Sequence, residues 1–302
     1  MIFEDSASLI SAGSDSARDS AGTRNLKIKT IFNGMFNIMI KTIFTVFILF
    51  TGYAFSKDNN EYTSNSYKAN DSVNSNIPSG LIKLVKAYPD FLDSADENNL
   101  YWKDGTVMIY DDGIQDKSHD EKLENPDLED MMSQEYVTGP DWDEPPPVNF
   151  EPGRIRYEPF FTKMYGSNSN EVQQNIVNVK WVDGAMIDFS NVNGAAEKLQ
   201  MAADELSQLP SEYQKYLKNI GGTFVWRNIA GTDRLSNHSF GTAIDINTKY
   251  SDYWKWNKNV TYTNRIPFEI AEVFEKYGFI WGGKWYHYDT MHFEYRPELI
   301  EK

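Results

Sequence analysis

From Phe150 onward, aromatic and branched residues arrive in short runs divided by turn dipeptides, and this texture limits the fold more than any other feature of the chain. Residues 176–182 and 185–189 flank Asp183-Gly184, a pair that favours the left-handed backbone of a tight hairpin. A second pair, Asp104-Gly105, stands between residues 100–102 and 106–110 and predicts another hairpin. Ala195, Leu199, Ala202 and Leu206 recur at helical spacing before Pro210, and Ile270, Val273, Phe274 and Tyr277 do so between Pro267 and Gly278. Residues 81–87 read as a short helix, while 223–226, 243–246, 279–281 and 292–295 read as strands. Hairpins with interspersed helices, and no regular alternation of strand and helix, indicate an α+β domain.

The N-terminal part is organised differently. Lys41 precedes an apolar run over residues 42–50, followed by small residues at Gly52, Ala54 and Ser56, the order of charge, apolar stretch and small residues of a secretory signal peptide. The run is shorter than the roughly 20 residues of a spanning helix, which disfavours an uncleaved anchor. Residues 1–34 are rich in Ser and Asp and would make an unusually long leader, so Met35 is read as the true start. The expected organisation is an upstream segment and signal over 1–56, a flexible Asn/Ser-rich linker over 57–80, an N-terminal extension over 81–150, and the main folded domain over 151–302. Within the extension, residues 111–147 are dominated by Asp and Glu and end in Pro145-Pro146-Pro147. They read as an extended, solvated crossing.

Charge and composition exclude several functions. With 44 acidic against 29 basic residues the formal charge is −15, opposite in sign to a surface that gathers phosphates, so nucleic acid is excluded as a partner. The absence of cysteine removes disulfides, thiolate ligands and a cysteine nucleophile. Any metal must therefore be held by carboxylates and by some of the four histidines, His119, His238, His287 and His292.

Two stretches carry the candidate chemistry. In the first, His238 and Asp245 lie seven apart, with Gly241 allowing a backbone turn and Asp245 set among the apolar residues of a strand, where an unpaired charge is costly. Taken alone this spacing is weak. In the second, His292 and Glu294 share a strand face and Asp289 lies just before it. Two imidazoles and one carboxylate, from His238, Asp245 and His292, match the three protein ligands of a catalytic zinc, which leaves a fourth position for water. Asp289 is then the candidate general base, with Glu294 as runner-up or as the partner that orients a ligand imidazole.

The pattern Ser236-x-His238-x-x-Gly241-x-Ala243-x-Asp245, then residues 278–285, then Asp289-x-x-His292-x-Glu294, resembles the D-alanyl-D-alanine carboxypeptidases and dipeptidases and the related L-Ala-D-Glu endopeptidases. The resemblance covers roughly residues 224–298. It implies the hedgehog/DD-peptidase fold, a small antiparallel sheet flanked by helices, with one zinc ion per chain held by His238, Asp245 and His292. It further implies Asp289 as base, Arg227 as the arginine that contacts substrate, Ser236 as a supporting residue, and peptidoglycan stem peptides as substrate. Many members carry Glu where this chain has Asp289. Removal of a terminal D-Ala is the first expectation, cleavage inside the stem peptide the second, and a noncatalytic zinc-containing wall-binding module the rival. Among the other residues, His287 and the aromatics Trp281 and Trp285 read as packing groups, His119 as solvated, and Arg234 as a salt-bridge partner or an anion-binding group.

Overall fold

The computed structural model describes residues 76–257 and 259–301. The signal-like stretch, Met35 and most of the Asn/Ser-rich segment lie outside them. Among the described residues no helix is long and apolar enough to cross a membrane. These residues fall within one compact unit of α+β architecture.

In chain order the elements are α1 (Ser79–Ala87), β1 (Leu92–Ala95), β2 (Asn99–Trp102), β3 (Val107–Ile109), α2 (His119–Glu124), α3 (Leu128–Met132), α4 (Glu158–Tyr165) and α5 (Ser169–Gln173). They continue as β4 (Ile176–Lys180), β5 (Met186–Ser190), α6 (Ala195–Leu206), α7 (Gln214–Leu217), β6 (Ala243–Asp245), α8 (Phe268–Lys276), β7 (Phe279–Trp281), β8 (His292–Tyr295) and α9 (Pro297–Ile300). Three small antiparallel sheets result, ordered β1-β2-β3, β4-β5 and β6-β8-β7.

Both Asp-Gly hairpins form where the sequence places them. In β2-β3 the Asp104 carboxylate accepts from Thr106 N at 2.9 Å, and in β4-β5 Asp183 accepts from Ala185 N at 3.1 Å. The main core joins Val179, Ile187 and Phe189 of the second hairpin, the Leu199 and Leu206 face of α6, and Ile270 and Phe274 of α8 to the three-stranded sheet of β6, β7 and β8. Trp281 is fully buried in it, as a packing aromatic. A second core holds Leu81 and Leu84 of α1, Leu100 and Trp102 of β2, and Phe160, Phe161 and Tyr165 of α4. Phe240 reaches into this second core, stacking 5.7 Å from Phe161.

Two sequence expectations fail. Residues 111–147 are not a solvated crossing: they form α2 and α3 and bury Leu128, Met131 and Tyr136. The helices start at Ser118 and Asp127, each of which closes a reciprocal capping box with the residue three positions on. Three of the segment's carboxylates gather on Lys117, whose ammonium lies 2.7 Å from Asp112, 2.6 Å from Asp130 and 3.6 Å from Asp127. Further along, the Tyr136 hydroxyl donates to Glu275 at 2.6 Å, and buried Lys284 donates to the carbonyls of Val137 and Gly139 and to Glu275. The second failure is the strand expected over 223–226. That segment runs as irregular backbone because its partners lie in the turn before β6: Val225 N donates to the His238 carbonyl at 3.1 Å and the Thr223 carbonyl accepts from His238 Nδ1, while only the neighbouring Gly222 bridges to Asp245.

Candidate metal centre

Strand β6 pairs with β8 so that Asp245 stands opposite His292 and Ala243 opposite Glu294. Residues directly opposite in an antiparallel pair project to the same face, as do residues two apart on one strand, so Asp245, His292 and Glu294 must share one face of the sheet. His238 approaches from a single 3-10 turn over Asn237–Phe240 that precedes β6. Ser236 caps this turn by accepting from His238 N at 3.4 Å, so Ser236 acts on the backbone that carries His238. Gly241 ends the turn at φ 66°, and a Cβ there would meet Ile176 Cδ1 at 2.5 Å, so both conformation and space require glycine.

The ring nitrogens are sorted by their partners. His238 Nδ1 lies 2.5 Å from the Thr223 carbonyl, which can only accept, so this nitrogen carries the proton and Nε2 keeps its lone pair. His238 Nε2 points at Asp245, 3.3 Å away. His292 places Nε2 2.9 Å from Glu294 and Nδ1 2.7 Å from Asp245. Glu294 thus holds one ring N–H and leaves Nδ1 turned toward His238 and Asp245. One ligand atom from each of His238, Asp245 and His292 lies within 4.8 Å of the other two. Once His292 gives up the proton on Nδ1, two imidazoles oriented by acceptors behind them, with one carboxylate between, form a donor set that could hold a divalent metal ion.

Electrostatics agree. Burial opposes ionisation of Asp245, yet the imidazoles of His238 and His292 beside it hold its carboxyl well below the usual range. Burial likewise raises the cost of a charged Glu294, but Arg156 and His292 hold it at about 2. Burial disfavours a charged His292, which Asp245 and Glu294 outweigh, raising it to about 10. In the metal-free protein a proton on His292 thus answers the surrounding negative charge, as an ion would.

Asp289 enters from the loop before β8. Its N–H donates to Gly282 O at 3.0 Å and its carbonyl accepts from His292 N at 3.2 Å. A Cβ on Gly282 would meet Asp289 O at 2.6 Å, so the Gly-Gly turn is what lets this loop close. The Asp289 Oδ1 atom is buried with no hydrogen-bond partner, and burial pushes the carboxyl up to about 6. A buried, unpartnered oxygen beside a ligand cluster is a group waiting for a proton donor.

These residues line a cavity of about 130 Å³ that also contains Arg227, Ser236, Asn237, Tyr253 and Trp285. Arg227 is exposed. Arg154 and Arg156, which the sequence reading missed, complete the wall. Their only local signal is the alternation of two arginines after Gly153. The segment carrying them is strapped to the loop before β8 by Tyr286 N to Phe150 O and by Trp285 Nε1 to Pro152 O, both at 2.8 Å.

The remaining histidines form a second carboxylate-centred cluster. His287 Nδ1 lies 2.5 Å from buried Glu151, and His119 Nε2 lies 3.1 Å from the other oxygen of the same carboxylate. The expectation that His119 is solvated is therefore wrong, because α2 folds back against Glu151. Arg234 pairs with Glu124 at 3.3 Å and lies outside the lining of the metal cavity.

No curated protein and no solved structure matches the chain. Residues 230–295, the stretch that holds His238, Asp245, Asp289, His292 and Glu294, match the family model described as D-alanyl-D-alanine carboxypeptidase, so the segment bearing the cluster is similar to that peptidase family.

Proposed function

We propose that the chain is a zinc-dependent peptidase of hedgehog/DD-peptidase fold that cleaves peptidoglycan stem peptides, removing a terminal D-Ala. The observation that carries the reading is the convergence of His238 Nε2, the Asp245 carboxylate and His292 Nδ1 next to the unpartnered Asp289 Oδ1. His238, Asp245 and His292 would hold the ion. When bound, it supplies a Lewis acid that polarises the scissile carbonyl and acidifies water.

The chain's own groups do the rest. Asp289 accepts the proton that the attacking water gives up and returns it to the nitrogen of the leaving residue, so the carboxylate is regenerated in each turnover. Its position at the cavity wall and its raised affinity for a proton suit both halves of that task. Arg227, exposed at the cavity rim, offers guanidinium donors to the carbonyl oxygen as negative charge develops there. Glu294 and the Thr223 carbonyl keep the two imidazoles in register. An intact Asp289 favours this reading over a noncatalytic wall-binding module, and export through the signal-like residues 41–56 would bring the protein to its substrate.

The test is digestion of a defined panel of stem peptides with and without chelator, read by product mass. Loss of a single terminal D-Ala, abolished by chelator and restored by zinc, is the expected result. Fragments cut between L-Ala and D-Glu would instead assign the endopeptidase specificity, and no chelator-sensitive cleavage of any stem peptide would remove the peptidase assignment.

A further inference from the structure

Arg154 differs from every other cation of the cavity in how it is held. Its Nη1 donates to the His287 carbonyl at 2.9 Å, its Nε lies 3.6 Å from the Glu151 carboxylate, and its guanidinium stacks 5.4 Å from the Trp285 ring. Glu151 is itself fixed by His287 Nδ1, by His287 N at 2.9 Å and by His119. The third nitrogen, Nη2, has no hydrogen-bond partner among the described residues, and the side chain keeps about a fifth of its surface exposed where it lines the cavity with Asp289. The guanidinium is thus clamped along one edge and open along the other, an arrangement suited to a planar anion.

Resting on the stem-peptide reading, we propose that Arg154 is a specificity-determining residue that reads a free carboxylate on the α-carbon of the substrate residue leaving the cut. Both cleavages open to the site present this group: a terminal D-Ala carries it as the chain end, and a γ-linked D-Glu carries it as a branch. Charge balance in the cavity supports the choice. Arg156 is committed to Glu294 at 3.5 Å and to the Leu235 carbonyl at 3.2 Å, which leaves Arg154 and exposed Arg227 for substrate. Arg227 faces the developing charge at the scissile carbonyl in the reading above, so the leaving residue's carboxylate falls to Arg154. Arg154 also lies outside the 230–295 stretch that matches the family. Selectivity would thus be supplied by a part of this chain that the family pattern does not contain.

The test compares an N-acylated peptide ending in D-alanyl-D-alanine, and a stem peptide with γ-linked D-Glu, each with its α-carboxamide counterpart. Wild-type protein should prefer the free acid of at least one pair, that pair naming the source of the carboxylate. Arg154→Ala should lower kcat/KM for the free acid on the order of 100-fold and bring the acid-to-amide ratio near one, while R154K, which keeps charge without the fork, should recover only part of the ratio. Zinc content and Tm of both variants establish that they are folded. Equilibrium binding of the same four peptides to zinc-loaded protein, by calorimetry, separates the two readings. Hydrolysis with an unchanged ratio in R154A overturns the role of Arg154 and leaves the peptidase standing. Binding that prefers the acid through Arg154 without any hydrolysis supports the role of Arg154 and overturns the peptidase. A wild type that neither cuts nor binds acids in preference to amides overturns the proposal.

Discussion

Asp245 and His292 face each other across β6 and β8, and their side chains meet at 2.7 Å between Oδ1 and Nδ1. The pairing of the two strands and the pairing of the two ligands are therefore one event. A slip of a single residue in this register would turn His292 and Glu294 to the opposite face and dismantle the cluster. Replacing Asp245 with Asn keeps the shape but removes the anionic ligand. Zinc bound per chain, measured by atomic emission after dialysis, should fall to a small fraction, and affinity should drop by more than about 100-fold. Retention of a full equivalent of zinc by this variant would contradict the ligand assignment.

Asp289 is a different kind of residue, and its substitution should separate binding from turnover. Asp289→Asn should keep zinc and lower kcat by about 10²–10⁴-fold, the range expected for loss of a positioned base. A base works only when unprotonated. Burial raises Asp289 to about 6, so wild-type kcat/KM should climb as pH rises through that region, with the bound cation drawing the limb to lower pH. A flat wild-type profile between about pH 4 and 7 would argue against Asp289 as the titrating group.

Glu294 is expected to act through His292 alone. Glu294→Gln still occupies the space but can present its NH₂ to Nε2, which favours the wrong tautomer of the ligand ring. Zinc affinity should weaken by about 10–100-fold with the metal-saturated enzyme still active, as read by competition with a chelating dye. If activity at saturating zinc disappears as well, Glu294 has a direct part in the reaction.

Lys284 and Glu275 form a buried pair at 2.5 Å that ties residues 136–139 to the Gly-Gly turn. Burial draws the lysine below its ordinary range, and Glu275 opposes that fall. Glu275→Ala leaves the ammonium buried with carbonyl partners only. A loss of about 3–5 kcal/mol in urea unfolding is expected, larger than for a surface carboxylate. A cost below about 1 kcal/mol would mean that the pair relaxes into solvent.

Much of the centre could be read from the chain because its pieces are local. His238 and Gly241 share one turn, Asp245 follows in the next strand, and Asp289 and His292 are separated by a single loop. The hairpins were legible for the same reason, since Asp-Gly fixes a turn without help from distant residues. What escaped depends on long-range contact. Acidic composition made residues 111–147 read as a solvated crossing, although Leu128, Met131 and Tyr136 anchor them and Lys117 pairs with Asp112, Asp127 and Asp130. The Ser118–Glu121 and Asp127–Asp130 spacings were the available signal for those helices. Arg154 had no such signal, because its partner carbonyl on His287 lies 133 residues away. Residues 223–226 have strand-like composition, but their backbone is taken up by the His238 turn, a contact that composition does not reveal.

Phe240 sits two residues after His238 and buries its ring among Phe161 and Tyr165 of α4. An engineer who trims this protein to the stretch that matches the family model would cut through that aromatic stack and bare a greasy socket directly behind His238. The minimal form worth expressing therefore begins before α1, and its upstream helices should be regarded as the bedplate on which the His238 turn is bolted.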